Sequence, residues 1–93
     1  MTPRDLATFL KVAETGSVTL AAERLGRSQP SVTRCLQDME AWLGFALVER
    51  AGRRISLTRE GVVFEEEARR LLAMFEDPPA RTLVRAREAT PPM

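Results

Sequence analysis

Apolar residues recur along this chain at helical spacing in four blocks, and each block is bounded by cap or turn residues. Leu6, Phe9, Leu10 and Ala13 form the first stripe, which predicts an amphipathic helix. Thr2 suits its N-cap, Pro3 its first position, and Asp5 the far side of a capping box. Thr15-Gly16-Ser17 closes that helix and caps a second one with the stripe Val18, Ala21, Ala22 and Leu25. Val32, Leu36, Met39 and Leu43 place a third helix over about Gln29–Leu43. Ser28 is its N-cap, Pro30 falls in its first turn, and Gly44 is its C-cap. Thr58 caps a long fourth helix with the stripe Phe64, Ala68, Leu71, Leu72 and Phe75, which Pro78-Pro79 stops.

Between the third and fourth helices the period changes. Phe45–Arg50 and Ile55–Leu57 are short extended runs around Ala51-Gly52-Arg53-Arg54, the pattern of a small β-hairpin. The chain therefore divides into residues 1–57, a helix over 58–77, and a tail over 78–93. That tail is expected to be partly disordered or a short helix around Arg81 to Ala89.

The second and third helices carry the functional signal. Ala22 is small enough for a close helix crossing, and Gly26 tolerates the positive φ of a tight turn. With its apolar stripe facing a core, the third helix turns Pro30, Thr33, Arg34 and Gln37 outward together. An apolar back and a polar reading face are what a DNA recognition helix needs. The hairpin that follows would be a wing, with Arg53 and Arg54 at its tip, suited to the minor groove or to phosphates. The fold class expected is mainly α: a winged helix-turn-helix with a three-helix core, a two-stranded wing and a long C-terminal linker helix.

The run from Leu6 to Leu72 resembles the N-terminal DNA-binding domain of LysR-type transcriptional regulators. The blocks that carry the resemblance are Phe9–Ser17, Ala21–Leu25, Ser28–Arg34, Met39-Glu40, Leu43-Gly44, Leu47–Arg50 and Leu57–Gly61, in the family's order without a gap. The resemblance implies that Gln29, Pro30, Ser31, Thr33 and Arg34 lie close to base edges. Gln pairs with adenine and Arg with guanine, while the Pro30 ring and Thr33 methyl suit a thymine methyl. It also implies phosphate or wing contacts from Thr19, Ser28 and Arg53; Arg50 and Arg54 are further candidates for such contacts, with a salt bridge as the alternative for Arg54. For Arg50 an ion pair with Glu40 or Glu49 is an equal alternative, and Arg24 reads as a surface ion-pair partner. In the family the fourth helix pairs two domains, so Phe64, Ala68, Leu71, Leu72 and Phe75 are the expected dimerisation residues.

Some positions depart from the family pattern. Arg27 replaces the apolar residue that usually follows the turn, so either a core contact is lost or a phosphate contact is gained. Val18 and Val48 stand where Phe is usual. Cys35 and Trp42 stand where polar residues are common; Cys35 reads as a small buried hydrophobe, with a redox switch as the lesser alternative, and Trp42 as core or interface packing. Family members also carry an α/β domain that senses a small molecule. The 93 residues stop before one, so no effector site is expected within them.

Composition excludes several classes. With no His and one Cys, neither a His-dependent hydrolase triad nor a structural zinc site can be assembled. No nucleophile–base pair, metal set or phosphate loop proposes a reaction, so neither an enzyme nor a cofactor is expected. Glu65-Glu66-Glu67 point in different directions on a helix and do not converge on an ion. No apolar run spans a bilayer and no signal peptide is present, so a cytoplasmic protein without a membrane partner is expected. Net charge is only +1, yet Arg27, Arg34, Arg50, Arg53 and Arg54 outnumber Asp38, Glu40 and Glu49 across the reading segment. The expected function is binding of double-stranded DNA at an inverted repeat by a homodimer. Helix 29–43 would enter the major groove and wing 51–54 the minor groove. The alternative is an interaction module that heterodimerises with longer regulators and binds DNA weakly by itself.

Overall fold

A computed structural model describes residues 1–76 and 78–88, without the side chains of residues 76–81. The helices α1 (Pro3–Thr15), α2 (Val18–Leu25) and α3 (Gln29–Leu43) precede a hairpin of β1 (Val48–Ala51) and β2 (Arg54–Leu57). Helices α4 (Arg59–Glu76) and α5 (Pro78–Glu88) follow. This is the winged helix-turn-helix that the hydrophobic pattern predicts.

The caps explain the helix boundaries. Asp5 N–H donates to Thr2 Oγ1 at 3.2 Å while Thr2 N–H donates to Asp5 Oδ2 at 2.8 Å, a complete capping box. Ser17 and Ser28 accept from the amides of Leu20 and Ser31 at the starts of α2 and α3. Helix α2 ends in a Schellman arrangement at Gly26, φ +65°: the Gly26 amide bonds Glu23 O and the Arg27 amide bonds Ala22 O.

The core lies where α1 crosses the other helices. Phe9, Val12, Ala21, Val32, Leu47 and Ala68 are wholly buried. Phe9 and Phe64 meet edge-on-tilted, with centroids 5.5 Å apart, and join α1 to α4. Two of the expected dimerisation residues are therefore corrected. Phe64 and Ala68 are buried in their own chain's core, and Leu72 packs against it, because the first half of α4 must cover the three-helix unit. Leu71 and Phe75 are exposed.

Other expectations also change. The extended run before the turn is shorter: β1 starts at Val48, and Phe45–Leu47 is irregular. There the chain turns to offer the Leu47 and Val48 amides to the Glu40 carboxylate instead of to a strand. The hairpin closes in two residues, Gly52 and Arg53, since Ala51 pairs with Arg54. Only Gly52 has positive φ, +65°, the φ pattern of a type II′ turn. Trp42 is 71% exposed and belongs to no core, because it lies off the Val32–Leu36–Met39 stripe. The tail forms α5 from Pro78, with the two prolines at the permissive helix start. Ala89 and the rest of the expected tail lie outside the described residues.

Gly61 has a steric role. A Cβ built there collides with the Leu47 carbonyl and comes within 3.2 Å of Thr58 Oγ1. Helix propensity alone favours Ala over Gly by about 1 kcal/mol. Gly61→Ala is nevertheless expected to destabilise the chain by about 1–3 kcal/mol, because backbone has to move; denaturant midpoints at constant m-value measure it.

Asp5 provides a pH test. Burial alone would raise its pKa, but bonds from the Thr2 amide, the Cys35 thiol and the Thr2 hydroxyl outweigh it and leave the carboxyl below its ordinary value. A depressed carboxyl stabilises the fold fully above its unfolded pKa, and the contribution disappears as pH falls toward the folded value. Asp5→Asn should therefore lower the melting temperature at pH 7, with the gap to the unmodified chain closing as pH falls below about 4.

Candidate nucleic-acid interface

Helix α3 presents its front as a shallow groove lined by Gln29, Pro30, Thr33, Arg34, Gln37 and Asp38. Its back, through Val32, Cys35, Leu36 and Met39, is buried. This division follows from the helical period, because residues three and four apart share a face. A second groove continues from the first, sharing Gln29 and Thr33. It passes Ser17 and Thr19 at the start of α2 and reaches Arg50, Gly52, Arg53 and Arg54 on the wing.

Two helices start at this surface. Thr19 lies in the first turn of α2, and Gln29 and Pro30 in the first turn of α3. The positive ends of both helix dipoles therefore stand beside the wing arginines. Among the described residues, the ion pairs are Lys11–Glu14, Arg69–Glu65 and Arg70–Glu67, none of which uses a residue that lines either groove. Arg34, Arg50, Arg53 and Arg54 are exposed and take part in none of them. No ion pair joins Arg50 to Glu40 among the described residues, and Glu40 Oε2 accepts from the Leu47 amide at 2.6 Å and the Val48 amide at 3.3 Å. Glu49 points to the other side of β1, since successive strand residues alternate faces.

The wing is anchored at both ends. Ile55 N–H donates to Gly16 O at 3.1 Å, which ties β2 to the turn between α1 and α2. Thr58 N–H donates to Leu47 O at 3.0 Å, and Thr58 Oγ1 donates to Ala46 O and accepts from Gly61 N–H. Thr58 thus closes the hairpin and caps α4 together.

Of the expected site residues, Gln29, Pro30, Thr33, Arg34, Thr19, Arg50, Arg53 and Arg54 come together along the two grooves. Ser28 is exposed at the start of α3, with its hydroxyl occupied as the N-cap. Ser31 is corrected: its Oγ accepts from Arg27 Nε at 3.1 Å and Nη2 at 2.7 Å, so the side chain is turned toward the body and away from the groove. Arg27 replaces the usual apolar contact by polar ones, and its Nη1 donates to Thr8 Oγ1. Gln37 lies on this face, as its outward position in the sequence predicts, and Asp38 extends the face beyond the expected set. Their i+4 spacing from Thr33 and Arg34 is the signal that places them there.

Cys35 is buried, and burial raises its thiol above the ordinary value, with the bond to Asp5 adding to the effect. That is the environment of an inert packing thiol rather than a reactive one. Among the described residues no helix is long and apolar enough to cross a membrane, and no cluster of ligands suits a metal ion.

Comparison with known proteins gives this geometry a lineage. The family model for bacterial regulatory helix-turn-helix proteins of the lysR family matches residues 3–62. The HTH-type transcriptional regulator TcbR of Pseudomonas sp. (strain P51) is 49% identical over 71 residues, which are 76% of this chain and 24% of TcbR. ClcR of Pseudomonas putida is 48% identical over 73 residues, 78% of this chain and 25% of ClcR. The chain thus spans about a quarter of the length of these relatives. They are transcriptional regulators and not enzymes. The DNA-binding domain of CbnR, solved in complex with DNA, superposes with a TM-score of 0.83 at 44% identity, covering 92% of this chain and 99% of that one. The BenM DNA-binding domain on benA site 1 DNA gives 0.81 at 36% identity, covering 92% and 97%. On its matched residues, and on the fold and helix-turn-helix they build, the chain belongs to the LysR family of bacterial regulatory helix-turn-helix proteins.

Proposed function

We propose that this chain binds double-stranded DNA sequence-specifically to regulate transcription. The observation that carries the reading is the continuity of the two grooves: one surface joins the polar face of α3 to three unpaired wing arginines. Helix α3 enters the major groove, where Gln29 and Arg34 address base edges and Pro30 and Thr33 address thymine methyls. Arg53 and Arg54 follow the adjacent minor groove, while Thr19, Ser28 and Arg50 hold phosphates. Support comes from the CbnR and BenM domains, which share this fold and were solved on DNA.

The reading unit is a dimer on an inverted repeat. Val63, Leu71, Met74 and Phe75 are all exposed. At the helical angle per residue they fall within about a third of the circumference of α4. In this reading a second copy covers these four apolar side chains, with Glu60 and Glu67 on the same arc, and two-fold pairing places two recognition helices on one face of the duplex. The same arc could instead receive a longer regulator of the family, which is the outcome that would favour an interaction module.

Selection of duplexes from a random pool, followed by anisotropy titration in salt, tests the proposal. Enrichment of an inverted repeat with steeply salt-weakened binding supports it; no enrichment above scrambled DNA refutes it. On the enriched site, Arg34→Ala should cost about 1–3 kcal/mol and relax specificity at one position. Arg53→Ala, a phosphate or shape contact, should weaken all sequences alike and reduce the salt slope by about 0.9. Phe75→Asp should leave the thermal melt of the core intact and halve the mass seen by sedimentation, with loss of inverted-repeat binding.

A further inference from the structure

We propose that Arg27 is the positioning residue of the recognition helix, holding the first turn of α3 against α1 and so setting the pose of the reading face. The inference rests on the DNA-reading role proposed above. Arg27 follows the Schellman turn at Gly26, a position whose side chain usually makes an apolar contact back onto its helix. Here a guanidinium occupies it and reaches two other elements. Nη1 donates to Thr8 Oγ1 of α1 at 2.6 Å. Nε and Nη2 donate to Ser31 Oγ of α3 at 3.1 and 2.7 Å.

Both hydroxyls are themselves held. Thr8 is 1% exposed, and its Oγ1 donates to Arg4 O at 2.8 Å, so it accepts and donates together. The Ser31 amide donates to Ser28 Oγ at 3.2 Å. A continuous run of hydrogen bonds therefore leads from the backbone of α1 through Thr8, Arg27 and Ser31 to the N-cap of α3. Among the described residues no carboxylate pairs with Arg27. Its charge is favoured by the C-terminus of α2 and opposed by the N-terminus of α3, so the two dipoles offset and do not by themselves account for it. The planar fork does: it can bridge two hydroxyls on different elements, which a lysine ammonium cannot do with the same geometry. The elements bridged are the scaffold helix and the turn that carries Gln29 and Pro30. Recognition tolerates misplacement of only about 0.5 Å before contacts are lost, so this bridge bears on discrimination as well as on folding.

The test uses the full chain with Arg27→Leu, Arg27→Lys, Thr8→Val and the Arg27→Leu/Thr8→Val double variant. In the free protein, amide exchange at Ser31 and Val32 should quicken about tenfold in Arg27→Leu, with α4 amides unchanged. The affinity ratio between a selected duplex and its scramble should fall about tenfold, while the salt slope on the scramble stays constant. Arg27→Lys should behave like Arg27→Leu, and the double variant should be no worse than Arg27→Leu alone. A folded Arg27→Leu with an unchanged ratio would make the residue merely structural and overturn the proposal. A slope lower by about 0.9 would make it a phosphate contact and overturn it as well. If Arg27→Leu does not fold, Thr8→Val decides, and unchanged discrimination there counts against the proposal. Should the unmodified chain fail to distinguish any duplex, the DNA reading itself falls; unchanged exchange at Ser31 and Val32 would then remove the bridge too.

Discussion

The residue on which the rest of the molecule depends is Leu47, through its backbone as much as its side chain. Its amide donates to the Glu40 carboxylate of α3 at 2.6 Å, and its carbonyl accepts from Thr58 at 3.0 Å. Its side chain is wholly buried, and its carbonyl lies against Gly61 of α4. Recognition helix, wing and linker helix therefore meet at one peptide. A bond from an amide to a carboxylate is charge-assisted and about twice as strong as a neutral one. The position of the wing relative to α3 is held by that bond, and the wing arginines inherit it.

This junction explains why the reading surface is continuous though three elements build it. Helix α1 contributes no expected contact, yet it packs on α2, α3 and α4 through Phe9 and Val12, and its last turn receives β2 at Gly16. The wing arginines project from a two-residue hairpin clamped at both ends, so their placement does not depend on a long loop. A small domain with a thin core has little hydrophobic reserve. Charge-assisted bonds and caps at Glu40, Asp5 and Thr58 supply much of its definition.

The helices were legible in the chain because their apolar stripes and caps agree. Thr2, Ser17 and Ser28 stand where the cap oxygens are needed, and each makes the bond expected of it. The front of α3 was legible for the same reason, since the buried stripe leaves one polar face. What could not be read depends on long-range contacts. Nothing local shows that Glu40 would take the Leu47 and Val48 amides and so shorten β1. The stripe of α4 does not say where cover over its own core ends and exposed surface begins, which is why Phe64 and Ala68 were assigned to a partner. The bridge from Ser31 through Arg27 could not be read because it ends on Thr8, which lies on another helix. Gly61 stood in a recognised block, but its reason is a carbonyl fourteen positions earlier in the chain.

The central claim is that the face of α3 and the wing act as one DNA-reading surface. Backbone amide shifts followed during titration with a selected duplex test it most directly. The account predicts large shifts at Thr19, Ser28–Arg34, Gln37-Asp38 and Arg50–Arg54, saturating together, with Trp42 and α5 little changed. Shifts centred on Trp42 or α5, or wing and α3 signals that saturate at different duplex concentrations, would contradict it.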